Sequence, residues 1–163
     1  MKTYLTRSGN AGVAITKSGD VVSLFAKGGR GNMAKLIPFA VAHGGRKLDA
    51  YAMRVPTGLH NQYSRFGAKP TGRVAFNEDY APALWRNKSA EFKADSLNRP
   101  DVVAMVLPKS LNAVMRAWDA DRTIDLDKVK LYGDYGDMIK DRDKRMQSAE
   151  MKSALSVARG AGK

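Results

Sequence analysis

The segment LFAKGGRGNMAKLIPFAVAHGGRKLDAY, residues 24–51, decides the fold of this chain. An apolar run ends in a glycine-rich turn, an apolar segment follows, and Gly44-Gly45 leads into a second apolar run. This order is typical of strand, turn, helix, turn and strand. Because a glycine-rich turn before a helix presents free backbone N–H groups, the segment also predicts a binding site for an anion.

Apolar alternation and turn residues predict the elements on either side. The helix of the quoted segment is expected to start near Lys35, because Pro38 is comfortable only in a first helical turn. Residues 11–26 predict a β-hairpin, with a short strand before it at 3–5. Further strands are predicted at 46–53, 72–77 and 100–107, with helices at 57–67, 109–122 and 137–163.

These elements predict one α/β domain at residues 1–107 and a helical C-terminal extension at residues 108–163. In the extension, Leu111, Val114, Met115 and Trp118 share one face of an amphipathic helix. Residues 123–137 are polar and rich in turn-forming types, and are interpreted as a loop.

Composition and charge narrow the classes of function. The 163 residues contain no cysteine, which excludes disulfides and thiolate metal sites. His43 and His60 are the two histidines of the chain, and their spacing is not that of zinc ligands, so no metal ion is expected. Neither a signal peptide nor a membrane-spanning run is apparent, and a cytoplasmic protein without membrane contact is expected.

The net charge of +12 is unevenly distributed. Residues 1–80 carry +8 of it and residues 81–163 carry +4. An excess of this size favours a polyanionic partner, either a phosphate-bearing cofactor or a nucleic acid. A charge that serves solubility alone is the alternative interpretation.

Three interpretations of the glycine-rich turn follow from its residues alone. The nucleotide P-loop requires a lysine and a hydroxyl residue that are missing here. Residues 29–34 fit the letters of the dinucleotide motif GxGxxG/A, and Asp49 lies at a suitable distance, but a hairpin precedes the turn rather than a parallel strand. A tight turn without a ligand is the third interpretation.

The order of elements adds a resemblance to a known family. A hairpin, a glycine-rich turn, a helix, a strand and a helix carrying Tyr63, followed by Phe66-Gly67, resembles the GNAT superfamily of acyl-CoA-dependent N-acyltransferases. GGRKLDAYA, LHNQYSRFGAKPTGRVAFNEDYAPALW and RPDVVAMVL look like short GNAT-like proteins of tailed phages. The resemblance covers residues 12–107. It implies a mixed, mostly antiparallel sheet flanked by short helices, and a place in the host cytoplasm if a phage encodes the chain.

The resemblance implies acetyl-CoA as the cofactor and an amine, on a small molecule or a protein, as the acyl acceptor. Backbone N–H groups near Leu24 to Ala26 would polarise the thioester carbonyl, and Tyr63 would act as the general acid. Lys27 or Arg30 would supply positive charge. The cofactor-binding residues implied are Leu24, Phe25, Ala26, Lys27, Gly28, Gly29, Arg30, Gly31 and Asn32.

Two questions stay open at this stage. Asp20, Asp49 and His60 are all candidates for the general base. The chain is either an N-acetyltransferase or a catalytically inactive GNAT-like protein that engages a host protein or nucleic acid through a basic surface. That surface would comprise Arg30, Arg46, Lys47, Arg54, Arg65, Lys69 and Arg73. The segment at 77–87 either lines the acceptor side or covers the sheet edge.

Overall fold

A computed structural model describes residues 1–27, 30–77, 79, 100–118 and 120–161, with the backbone alone at 30–33 and 161. These residues form an α/β structure with two mostly antiparallel sheets. Its elements are β1 Lys2–Leu5, β2 Ala11–Ile15, β3 Val21–Ala26, α1 Arg30–Ala42, β4 Lys47–Ala52, α2 Leu59–Ser64, β5 Lys69–Val74, β6 Asp101–Val106, α3 Leu111–Ala117, β7 Leu131–Tyr132 and α4 Tyr135–Ala161. A 3₁₀ turn at Leu126–Lys128 precedes β7.

The first sheet contains β1, β2 and β3 in chain order, all antiparallel. The predicted hairpin is therefore confirmed, and it turns at Gly19, whose φ of 86° lies in the left-handed region that favours glycine. The short strand predicted at residues 3–5 is also confirmed, as β1.

The second sheet has the order β4-β6-β5-β7. β6 runs antiparallel to both β4 and β5, and the short β7 adds to β5 in parallel. Because β6 lies inside the sheet, its residues are buried on both faces, and Val103, Ala104 and Met105 are fully buried. This position explains the continuous apolar run that predicted the strand.

The two sheets meet at a single parallel bridge between Asp20 and Lys47. The carbonyl oxygen of Gly19 accepts hydrogen bonds from the backbone N–H groups of Arg46 at 2.8 Å and Lys47 at 3.2 Å. Within the described residues, the pairing of β3 with β4 does not extend beyond this bridge. From the bridge toward their carboxyl ends, β3 and β4 are therefore not paired with each other.

Hydrophobic packing occupies both faces of the second sheet. On one face, α1 contributes Ile37 and α2 contributes Tyr63 to the main core, which also includes Met105. On the other face, Met138 of α4 packs with Ala104 in a smaller cluster. The start of the C-terminal helix is therefore part of the packed structure. No helix among the described residues combines the length and apolar character needed to cross a bilayer.

α1 differs from the sequence expectation at its start. It begins at Arg30 rather than near Lys35, so Pro38 lies in its interior. Proline cannot donate the helical hydrogen bond to the residue four positions earlier, which costs free energy. Burial of Ile37, Ala40 and Val41 in the main core offsets this cost and keeps the helix continuous.

β5 and α3 also differ from expectation. β5 starts at Lys69, three residues earlier than predicted, and includes Pro70. Proline is tolerated there because the register shifts between Pro70 and Gly72, and β7 pairs only with the later part of β5.

α3 ends at Ala117, and of the predicted apolar face only Val114 is fully buried, since Leu111, Met115 and Trp118 are each more than 40% exposed.

Candidate functional site

Beyond the Asp20–Lys47 bridge, β3 and β4 are not paired with each other, and we refer to the region between their unpaired edges as the β3–β4 opening. Where two neighbouring parallel strands diverge without pairing, a crevice forms at their carboxyl ends, and ligands bind at such crevices in open α/β sheets. α1 begins at Arg30, four residues after the end of β3, and returns the chain to β4. The amino terminus of a 13-residue helix therefore lies at the carboxyl end of β3.

The backbone of β3 directs hydrogen-bonding groups into this opening. The N–H of Lys27 donates to the carbonyl of Asn10 on the β2 side at 2.7 Å. Because an antiparallel ladder alternates, the N–H groups of Leu24 and Ala26 point away from β2 and toward β4. These N–H groups belong to the segment that, according to the family resemblance, would polarise the thioester carbonyl.

The other predicted cofactor residues surround the end of β3. Leu24 is half-buried and packs on the main core, whereas Phe25 is 38% exposed and Lys27 is exposed. Arg30, Gly31 and Asn32 form the first turn of α1. Gly28 and Gly29 lie outside the described residues. The predicted cofactor-binding residues that the structure describes therefore lie together at one end of the β3–β4 opening.

Tyr63 lies on α2 and is only 5% exposed. It packs in the main core with residues of α1 and β6. Burial raises the pKa of its phenol to about 12. The hydroxyl is thus fully protonated at neutral pH, and a partner can reach it only from within the fold.

The three candidate bases lie in different environments. Asp20 accepts a hydrogen bond from Arg142 at 3.3 Å, and its other oxygen lies 3.6 Å from the ammonium of Lys47. Arg142 and Lys47 also both contact Asp143, at 3.1 Å each. These contacts close a ring of four charged side chains and give Asp20 a structural role at the junction of the sheets.

His60 is 1% exposed, and its Nδ1 has no hydrogen-bond partner among the described residues. Burial and the nearby charge of Arg54 lower the pKa of the imidazole. It is therefore neutral at pH 7 and enclosed by protein, which suits a buried core group better than a base that exchanges protons with a ligand.

Asp49 is exposed on the face of the second sheet that carries α4. Its carboxylate accepts a hydrogen bond from the hydroxyl of Tyr135 at 3.0 Å. Burial, followed by the charge and the hydrogen bond of Asp49, raises the pKa of Tyr135 to about 12. Of the three candidates, Asp49 is the carboxylate that faces an open cavity.

Several cations of the predicted basic surface make contacts within the protein. Lys47 is 9% exposed within the ring of charges described above. Arg73 pairs with Asp101 at 2.7 Å, and Arg54 pairs with Asp127 at 3.0 Å. Arg46 donates to the carbonyl oxygens of residues 41 and 45. These cations support the fold and do not form one continuous free surface.

Sequence reasoning missed Tyr135 and Arg142. Tyr135 lies in the stretch interpreted as a polar loop, and Arg142 lies in the helix predicted at 137–163. One available signal was the pair of tyrosines in LYGDYGD, since two aromatic residues among glycines and aspartates are unusual for a solvated turn. The helical spacing of Met138 and Arg142 was a second signal, because it puts both on one face.

Among the described residues, no group of three or more histidine, cysteine, aspartate or glutamate side chains is arranged to hold a metal ion. The segment predicted at 77–87 lies outside the described residues except for Asn77 and Asp79. Comparisons with protein-family models, with curated proteins and with solved structures found no match to this chain.

Proposed function

We propose that the protein is a GNAT-type N-acyltransferase that binds acetyl-CoA in the β3–β4 opening and acetylates an amine. The observation that carries the proposal is the single bridge between the parallel strands β3 and β4, at Asp20 and Lys47. Beyond it the two strands are unpaired, we infer that an extended cofactor arm lies between them, and α1 starts after the end of β3. The mostly antiparallel pairing of the second sheet also agrees with the fold that the resemblance implies.

Electrostatics support a phosphate-bearing ligand at this end of the opening. A helix amino terminus carries partial positive charge and free N–H groups, which suit a pyrophosphate. Lys27 stands at the end of β3, in the half of the chain that carries +8 of the net charge. Glycine at position 31 lets the phosphates approach the backbone closely.

The proposed reaction follows from the groups at the opening. The amine nitrogen bonds to the acyl carbon while the N–H groups of Leu24 and Ala26 stabilise the oxyanion. The bond from carbon to sulfur would then break, the phenol of Tyr63 would protonate the thiolate, and the proton released by the amine nitrogen would restore the phenol. Because Tyr63 is only 5% exposed, this step requires the thioester sulfur to enter the fold to reach the hydroxyl.

Ligand-induced stabilisation tests the cofactor site. We expect CoA and acetyl-CoA to raise the melting temperature, because a ligand of the native state stabilises it by mass action. Gly31→Glu is expected to abolish the shift, since it adds bulk and negative charge at the phosphate position. Gly160→Glu is the matched control, because nothing lies within 4 Å of that glycine. No shift with millimolar CoA in the parent protein would refute the proposal.

The net charge of +12 supports a second candidate, a catalytically inactive GNAT-like protein that binds nucleic acid or a host protein. Its basic surface would lie on the exposed part of α4, which carries Lys144, Arg145 and Lys152. Replacing these three by glutamine is expected to reduce the salt dependence of duplex binding. The slope should fall by roughly 0.9 for each phosphate that the variant no longer neutralises. A duplex titration at two salt concentrations distinguishes this candidate from the first.

A further inference from the structure

A cleft of about 890 Å³ lies on the face of the second sheet that carries α4. Its walls come from β4, the end of β5 and the start of β6, together with residues 131–136. We call it the tyrosine cleft, after Tyr51, Tyr132 and Tyr135 in its lining. β4 also borders the β3–β4 opening, so the cleft and the opening share a strand.

The charge of the cleft is opposite to that of the protein. Asp49 and Asp134 contribute carboxylates, and no lysine or arginine is found among the described residues that line it. Two cations of the neighbouring elements have partners within the protein. Arg142 pairs with Asp20 and Asp143, and the ammonium of Lys130 lies 4.8 Å from the ring centre of Tyr132. In a chain of net charge +12, this makes the cleft a local minimum of potential.

The side chains of the cleft suit an ammonium group. The hydroxyl of Tyr135 donates to one oxygen of Asp49, but a carboxylate offers about four acceptor sites in all, so others remain for a ligand. Tyr51 and Tyr135 add aromatic rings, which attract cations through their faces. An anionic ligand would be repelled by both aspartates, and a purely apolar one would leave the carboxylates desolvated.

We propose that the tyrosine cleft binds a small organic cation with a primary ammonium group, which pairs with the carboxylate of Asp49 and contacts the tyrosine rings. That this cation is the acyl acceptor rests on the proposed function, whereas its binding does not. The volume accommodates a diamine or a similar molecule of drug-like size. The C-terminal segment 131–136 would then build the acceptor side of the protein.

Titration of 1,5-diaminopentane tests the inference, with 1,5-pentanediol as the neutral probe of equal length. At low salt, we expect the diamine to shift the backbone amide NMR signals of Gly133 and Gly136, and the diol to leave them unchanged. Asp49→Asn is expected to weaken binding at least about tenfold, because it removes the negative charge that pairs with the ammonium and leaves only a weaker, neutral hydrogen-bond acceptor. Asp121→Asn removes an equal charge at an exposed position and should leave the affinity unchanged.

Absence of diamine binding at millimolar concentration, or equal binding by the Asp49→Asn variant with an unchanged melting temperature, would overturn the inference. If Asp49→Asn unfolds, Tyr51→Leu replaces it, and we expect a severalfold loss of affinity through the missing ring. CoA is titrated into the same samples. Diamine binding without CoA binding would uphold the cation site and refute the acyltransferase, and CoA binding without diamine binding would do the reverse.

Discussion

The guanidinium of Arg142 donates a hydrogen bond to the carboxylate of Asp20 at 3.3 Å, across 122 residues of chain. The side chain is 1% exposed and also donates to the carbonyl of Leu48 and to Asp143. It thereby joins α4 to the hairpin turn and to β4, at the point where the two sheets meet. The geometry of the β3–β4 opening depends on this junction, because the single bridge between the sheets lies beside it.

Replacement of Arg142 by methionine is expected to lower the free energy of unfolding by about 2–3 kcal/mol, since it removes the hydrogen bonds of the buried guanidinium and leaves Lys47 as the remaining cation beside Asp20 and Asp143. The loss stays below that of a fully buried pair because Asp20 and Asp143 are about one third exposed. Arg145→Met is the control, because its pair with Asp141 is exposed to solvent and contributes far less. Urea denaturation measures both, and equal effects would contradict a structural role for Arg142.

Stability is expected to fall as the pH drops below 6.5 because of His60. Burial lowers the pKa of this imidazole in the folded state, so the unfolded chain binds a proton that the folded chain resists. The stabilisation is complete above the unfolded pKa of about 6.5 and is lost below it, at a slope of at most about 1.4 kcal/mol per pH unit. Melting curves between pH 5 and 7.5 measure it. His60→Gln should remove the pH dependence of stability in this range. A variant as pH-sensitive as the parent would show that another group causes the dependence.

Tyr63→Phe is expected to lower turnover by about 10²–10⁴-fold while the affinity for CoA changes little, because general acid catalysis contributes this much and the ring still packs. Release of free CoA thiol from acetyl-CoA, in the presence of an amine, measures turnover. Tyr4→Phe removes a hydroxyl from another aromatic residue that packs on the main core, and it should turn over as the parent does. Parent-like turnover of Tyr63→Phe would leave Tyr63 a packing residue only.

Gly72→Ala is expected to destabilise the protein by about 1–3 kcal/mol through overpacking. A Cβ at this position would lie 2.5 Å from Cε2 of Tyr132 and 3.2 Å from Cγ of Met138. The clash would displace the segment that carries β7 and one wall of the tyrosine cleft. Gly133→Ala is the matched control, since nothing lies within 4 Å of that glycine. Thermal unfolding of both variants measures the difference, and a neutral Gly72→Ala would show that the Tyr132 ring moves freely.

Local pattern was sufficient where one short segment settles its own structure. The hairpin of β2 and β3 follows from alternating residues and a turn, and the continuous apolar run of β6 predicted a buried strand. The local pattern gave the wrong start for α1. The preference of Pro38 for the first turn of a helix is a local rule, and the burial of neighbouring residues in the core overrides it.

The sequence by itself determined the α/β class, the hairpin, the central strand and a helix after the glycine-rich segment, since each depends on residues close in the chain. Only the tertiary structure decided that β3 and β4 share a single bridge, that Arg142 is buried against Asp20, and that Tyr135 meets Asp49 across 86 residues. Such contacts depend on how the sheets and α4 pack together. A two-residue strand such as β7, or a charged residue on a helix, carries no local signal of its distant partner.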